Sequence, residues 1–338
     1  MPELPEVEVV RRGLAAHALG GPVRNVQVLH PRALRRQVQG VAYFESALAG
    51  RTFTGTGRRG KFLWLATDDP DLVLAAHLGM SGQFRVDAPG SGPEGPDRGP
   101  HRHARARFDL GERVLWFVDQ RTFGWVNASA VVPDRRGVLV PDLVRGIAPD
   151  PTEPAFDVRA VARAMRTHRV EVKRLLLGQD LVSGIGNIYA DEALWAAGVH
   201  PRRRADRLGI LTLATILDAA TRVMTAALGE GGTSFDGLYV DVNGESGMFD
   251  RGLAVYGRAG LPCPRCSTPI VRERFMNRSS HFCPACQRPP RLSHWGSGAD
   301  RSRRTRAPQG HGPGQRPGSR LPLGDDVHGQ DVEPRRGG

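Results

Sequence analysis

The chain holds four cysteines, and all of them fall in one array, Cys263-x2-Cys266-x16-Cys283-x2-Cys286. Two Cys-x2-Cys knuckles joined by a hairpin-length segment bring four thiolates around one ion in a tetrahedron, the requirement of a structural Zn(II) site with one ion per chain. Such a site has no open coordination position, so it holds structure and performs no hydrolysis. The competing reading, two disulfides, needs a secreted protein. Glu3, Glu6 and Glu8 stand where a secretory signal would be basic and then apolar, so no such segment is expected and the expected location is cytoplasmic. Arg272, Arg274 and Arg278 lie between the knuckles and equip the hairpin to clamp phosphate.

The 338 residues suffice for about two domains. Against 35 acidic residues stand 47 basic ones, a balance of +12 that points to a polyanionic partner, most simply nucleic acid. Only Lys61 and Lys173 among those cations are lysines. The residues alone leave two explanations open: a codon bias that missed two positions, or a need there for a compact ammonium that arginine cannot supply.

Val7, Val10, Leu14 and Ala18 repeat at helical spacing behind Pro2 and Glu3, which predicts a first helix at the N-terminus. Short segments rich in β-branched and aromatic residues follow at 51–57, 61–67, 72–79, 104–110, 113–119 and 123–130, and predict a β-sandwich. A Gly/Pro-rich stretch at 87–100 reads as a surface loop, and five prolines within 132–154 read as a linker. Helices are then predicted from an Asp157 cap and over 171–177, 188–197 and 207–229. The last of these contains Asp218 and Arg222 and carries one apolar face, so it reads as a core helix rather than a membrane span. Residues 291–338 carry nine arginines and five acids in Gly/Pro/Ser-rich sequence and are predicted to be a disordered basic tail. The expected class is therefore α+β in two domains: an N-terminal helix plus β-sandwich over 1–131, a linker at 132–156, a helical domain at 157–256 and a four-cysteine hairpin at 257–290.

Removal of Met1 before proline would expose Pro2 as a secondary amine. Proline opening a helix needs no catalytic explanation, but an amine with a pKa near 8 can attack a sugar carbon to form an imine. At this point the motifs matter together: "PELPEVE", "GRRGKFLWL", "HLGMSGQF", "DQRTFG", "GIGNIYADEALWAAGVHP" and the cysteine hairpin occur in order from Pro2 to Gln287. In that order they resemble the bacterial formamidopyrimidine-DNA glycosylase family.

The resemblance implies a bifunctional DNA glycosylase and AP lyase of base excision repair, acting on oxidised purines in duplex DNA, as a monomer with no membrane partner. It implies Pro2 as nucleophile, Glu3 as acid/base, Lys61 as a phosphate-contacting lysine on a β-hairpin, and Arg278 as the zinc-hairpin arginine beside the extruded nucleotide. Asn187 matches a phosphate-gripping residue of the helix-two-turn-helix element; from the residues alone it would simply cap the next helix. Met80, Arg121 and Phe123 match side chains that fill the gap left by the extruded base, with Thr122 where relatives carry a second arginine. Lys173 matches a lysine near the damaged base, His101 and His103 are candidate DNA contacts, and 229–249 matches a loop closing over the extruded base. Two alternatives stay open: an endonuclease VIII-like enzyme for oxidised pyrimidines, and a non-catalytic lesion-binding zinc protein. Retention of Pro2, Glu3 and Lys61 together argues against the second.

Overall fold

The computed structural model describes residues 2–88, 102–154, 156–231 and 252–290. His101, most of the glycine-rich 229–249 segment and the 291–338 tail lie outside the described residues.

Helix α1 (Leu4–His17) opens with Pro5 in its first turn, and Glu6 there meets the positive end of the helix dipole. Two antiparallel sheets follow. One orders β1 (Asn25–Val28), β6 (Ala104–Asp109), β7 (Val114–Asp119) and β5 (Gly82–Asp87); the other orders β2 (Phe53–Arg59), β3 (Phe62–Thr67), β4 (Leu72–His77), β8 (Trp125–Pro133) and β9 (Leu139–Pro141). Strand alternation drives them together: Leu63 and Leu65 of β3, Leu74 and Ala76 of β4, and Leu115 and Phe117 of β7 fill one core. Strands β1 and β5 and helix α2 (Gly40–Leu48) were not expected from the sequence. Strand β1 has only four residues, β5 buries Gly82, Gln83 and Phe84 in a row rather than in alternation, and α2 buries only Phe44 and Leu48, too little to register as a period. The proline-rich 132–156 stretch carries the end of β8, β9 and a 3-10 turn at Asp142–Val144.

Helices α3 (Val158–Arg166), α4 (Val172–Leu177), α5 (Asn187–Ala196) and α6 (Ile210–Gly229) form the second layer of the chain. The Asp157 side chain accepts the Ala160 amide at 2.9 Å, the cap read from the sequence. Helix α6 is long and apolar enough to cross a membrane, yet Leu213, Ile216, Leu217, Ala220, Met224 and Ala227 are all buried in the helical core. Strands β10 (Val271–Phe275) and β11 (Arg278–Phe282) make the final hairpin.

Helix α1 divides its apolar face between two cores: Val7, Val10 and Leu14 pack into the sandwich, whereas Leu4 packs with the helices. That division fixes the N-terminus at the junction of the two layers.

Candidate active site

Pro2 is buried, and Glu3 is 2% exposed. The Glu3 carboxylate accepts the backbone amides of Gly186 at 2.8 Å, Ile188 at 2.9 Å and Tyr189 at 3.3 Å, so it supplies the anion that the N-terminus of α5 attracts. A side chain at Gly186 would collide with that carboxylate, which accounts for glycine there. The Glu3 amide donates to Glu6 Oε2 at 2.8 Å, and Glu6 Oε1 accepts the Tyr189 hydroxyl at 2.8 Å. Burial raises the Glu3 pKa above its ordinary value, against the pull of Lys61 and the α5 amides.

Lys61 sits with Gly60 in the two-residue turn between β2 and β3, where Arg59 pairs with Phe62. Its Nζ donates to the Ile185 carbonyl at 3.0 Å, and burial lowers its pKa while Glu3 opposes the shift and Arg278 adds to it. The turn is fastened from below. The Gly60 amide donates to Asp150 Oδ2 at 2.9 Å, and Arg58 bonds Asp150 at 2.7 Å, Glu8 at 3.0 Å and Thr152 at 2.8 Å. His77 stands opposite Phe62 in the β3–β4 register and stacks on Trp125. Burial, then the positive charge of Lys61, lowers its pKa to about 4.

Asn187 does not cap α5 with its side chain, as the residue type suggested; its Nδ2 donates to the Ser279 carbonyl at 2.8 Å. One turn later Asp191 accepts the Ser280 hydroxyl at 3.0 Å and the His281 amide at 2.8 Å. Lys173 pairs with Asp191 at 2.6 Å, both side chains fully buried, and lies over the Phe275 ring at 5.3 Å. These bonds hold β11 along α5 and leave Arg278, at the start of the strand, exposed.

The four cysteine sulfurs lie within 4.8 Å of one another. Cys263–Cys286 is 4.0 Å, and Cys266–Cys283 and Cys266–Cys286 are 3.4 Å. A tetrahedron with metal–sulfur bonds of about 2.3 Å has edges of about 3.8 Å, so the thiols fit an ion between them and are too far apart for disulfides. Trp195 Nε1 donates to Cys263 Sγ at 3.4 Å, and Arg265 lies over the Trp195 ring at 4.4 Å, docking the knuckle on the end of α5.

Met80 and Phe123 occupy neighbouring turns of the sandwich, with the Arg121 guanidinium 5.1 Å from the Phe123 ring. Phe123 is 39% exposed, unlike the aromatic core. His103 faces Arg105, and partial burial with the charges of Arg105 and Arg102 lowers its pKa.

Sequence reasoning passed over His77, Asp119, Arg58, Asp150, Asp191 and Tyr256, which flank these groups. Tyr256 lies beside Asn187, and its ring meets His281 at 4.9 Å. Of these, only His77, Asp119, Arg58 and Asp191 fell inside the motifs that carry the resemblance.

Comparison with known proteins agrees along the whole described body. The model of the formamidopyrimidine-DNA glycosylase N-terminal domain matches residues 1–126, that of the formamidopyrimidine-DNA glycosylase H2TH domain matches 147–237, and that of a zinc finger found in FPG and IleRS matches 260–289. A formamidopyrimidine-DNA glycosylase of Rhodococcus opacus (strain B4) is 54% identical over 294 residues, 87% of this chain and 99% of the relative. One from Mycobacterium avium (strain 104) is 54% identical over 86% of this chain and 100% of the relative. Lactococcus lactis Fpg in complex with abasic-site DNA superposes with a TM-score of 0.72 at 30% identity, over 85% of this chain and 100% of that one. The same protein with Fapy-dG-containing DNA gives 0.71 at 30% identity over the same shares. With its β-sandwich, helix-two-turn-helix layer and four-cysteine hairpin, the chain belongs to the formamidopyrimidine-DNA glycosylase family.

Proposed function

We propose that the protein excises oxidised purines, formamidopyrimidines and 8-oxoguanine, from duplex DNA and then cleaves the strand, using Pro2 as nucleophile. The observation that carries this reading is the convergence of Glu3, which directly follows Pro2 in the chain, and Lys61 on the 185–189 segment that opens α5. With Met1 removed, the Pro2 nitrogen lone pair forms a bond to C1′, the glycosidic bond breaks, and its electron pair leaves with the base, which takes up a proton. The attached nitrogen loses its proton, its lone pair opens the C1′–O4′ bond while O4′ takes up a proton, and the resulting iminium acidifies the C2′ hydrogen. Its loss expels the 3′-phosphate, and a second elimination expels the 5′-phosphate. Glu3 and Lys61, buried and oppositely shifted toward their neutral forms, suit proton transfer beside the amine.

Arg278 and Asn187 would grip backbone phosphate, with His77 and Tyr256 flanking the same path. Met80, Arg121 and Phe123 would fill the stack after extrusion, whose unstacking costs a few kcal/mol. Lys173, buried against Asp191, would act by holding the hairpin. The four thiolates would hold Zn(II), which fixes the strand that presents Arg278. Residues 1–131, 157–256 and 257–290 are the proposed domains, joined at 132–156.

Structural relatives are described in complex with carbocyclic 8-oxo-G DNA and, for the Lactococcus lactis enzyme, with DNA containing an oxidised pyrimidine. Borohydride trapping on duplexes with 8-oxoguanine, an oxidised pyrimidine or no lesion separates the readings. The expected result is a strong adduct with 8-oxoguanine, a weaker one with the pyrimidine and none with intact DNA. Trapping only on the pyrimidine would favour an endonuclease VIII-like enzyme, and binding without trapping a lesion binder.

A further inference from the structure

Asp119 ends β7, is wholly buried, and uses both carboxylate oxygens. Oδ1 accepts the Ser81 hydroxyl at 2.5 Å and the Arg121 amide at 3.1 Å, while Oδ2 accepts the Gly124 amide at 2.6 Å. The Arg121 amide also donates to Ser81 Oγ at 3.0 Å. Ser81 follows Met80 in the chain, and Gly124 follows Phe123. One carboxylate therefore joins the turn that bears Met80 to the turn that bears Arg121 and Phe123.

Backbone contact reinforces the junction. Gly79 has φ of +64°, and a Cβ there would strike the backbone of Phe123 and Gly124. From outside, the Arg35 guanidinium donates to the carbonyl of Thr122 at 2.9 Å and to that of Phe123. Thr122 itself holds φ of +53°, a conformation costly for a β-branched residue, which persists where its surroundings over-determine it.

We propose that Asp119 and Ser81 are positioning residues that bind Met80, Arg121 and Phe123 into one rigid wedge, so that the three enter the base stack together. The proposal rests on the gap-filling reading of those three residues. A wedge assembled in advance avoids ordering two turns during base extrusion, so the tie should speed extrusion and leave later steps alone.

The test uses the full-length protein and its Met80→Ala, Ser81→Ala, Asp119→Asn and Met80→Ala/Ser81→Ala variants. Single-turnover release of 8-oxoguanine is compared with nicking at a preformed abasic site. Ser81→Ala keeps the bonds from Asp119 to the amides, so it remains informative if Asp119→Asn fails to fold. Expected is a loss of about five- to tenfold in base release for Ser81→Ala, with nicking held within about twofold. The double variant should lose less than the product of the two single losses, because Ser81 acts in part through Met80. Normal base release by Ser81→Ala beside a slow Met80→Ala would overturn the tie and leave the wedge standing. Equal loss of release and nicking in Ser81→Ala would mean a merely structural role and would also overturn it. A fully active Met80→Ala would refute the gap-filling reading, and the proposal with it.

Discussion

The Glu3 carboxylate accepts the Ile188 amide at 2.9 Å, so the third residue of the chain is the anion at the start of a helix 185 positions later. The Gly186, Ile188 and Tyr189 amides of that helix end are therefore engaged within the protein. Glu3→Gln would turn an amide NH2 toward donors that need an acceptor. It should lower stability by about 1–3 kcal/mol and abolish base excision, which urea unfolding and a single-turnover assay would show. Wild-type stability in the variant would mean that these bonds do not support the fold.

Two pH windows follow from groups whose pKa falls on folding. Burial pushes Glu8 upward, but the hydrogen bonds and charges of Arg11 and Arg58 outweigh it and bring the carboxyl from 4.5 down to about 2. Its stabilisation is complete above pH 4.5 and is lost as pH falls toward 2. His77, neutral in its buried stack, drops from 6.5 to about 4, so its contribution is lost between those values as pH falls. Melting curves across pH should show Glu8→Gln below wild type at pH 7 and converging with it near pH 2. His77→Phe should flatten the slope between pH 6.5 and 4. Parallel curves for variant and wild type would contradict both assignments.

Lys173 and Asp191 form a pair in which each charge depends on the other. Removing one partner leaves an uncompensated buried charge, so Lys173→Met should cost about 3–5 kcal/mol. Asp191 also holds Ser280 and His281, so Asp191→Leu should in addition loosen the hairpin that carries Arg278 and weaken binding to every duplex. Fluorescence anisotropy on damaged and intact DNA checks this, and a loss confined to damaged DNA would contradict it.

Metal analysis should give one zinc per chain, and Cys266→Ser should release it together with most DNA affinity. Trp195, bonded to Cys263, supplies an internal reporter: its emission should change when a chelator strips the ion. Full DNA affinity in metal-free protein would show that the hairpin stands without zinc.

What the sequence made legible was what spacing encodes. The cysteine array, the buried face of α6 and the Asp157 cap each involve residues whose relation is local or periodic, and each is present. Asp119, Asp150 and Asp191 gave no such sign: Asp150, between two prolines, reads as a turn former, and Asp119 and Asp191 disclose their roles only through partners on other elements. Asp150 bonds Arg58, 92 positions earlier, and no local rule joins them. Asn187 shows the same limit in reverse: its type suits a cap, but the helix end was already filled by Glu3, and its amide turned to Ser279.

The central claim is that the Pro2 nitrogen is the nucleophile. Borohydride reduction during reaction with 8-oxoguanine duplex, followed by peptide mapping of the adduct, tests it most directly. The account predicts that the sugar is attached to the N-terminal peptide at Pro2, and that protein carrying a verified extension on that amine traps none. An adduct mapped to Lys61 or Lys173, or undiminished trapping by the extended protein, would contradict it.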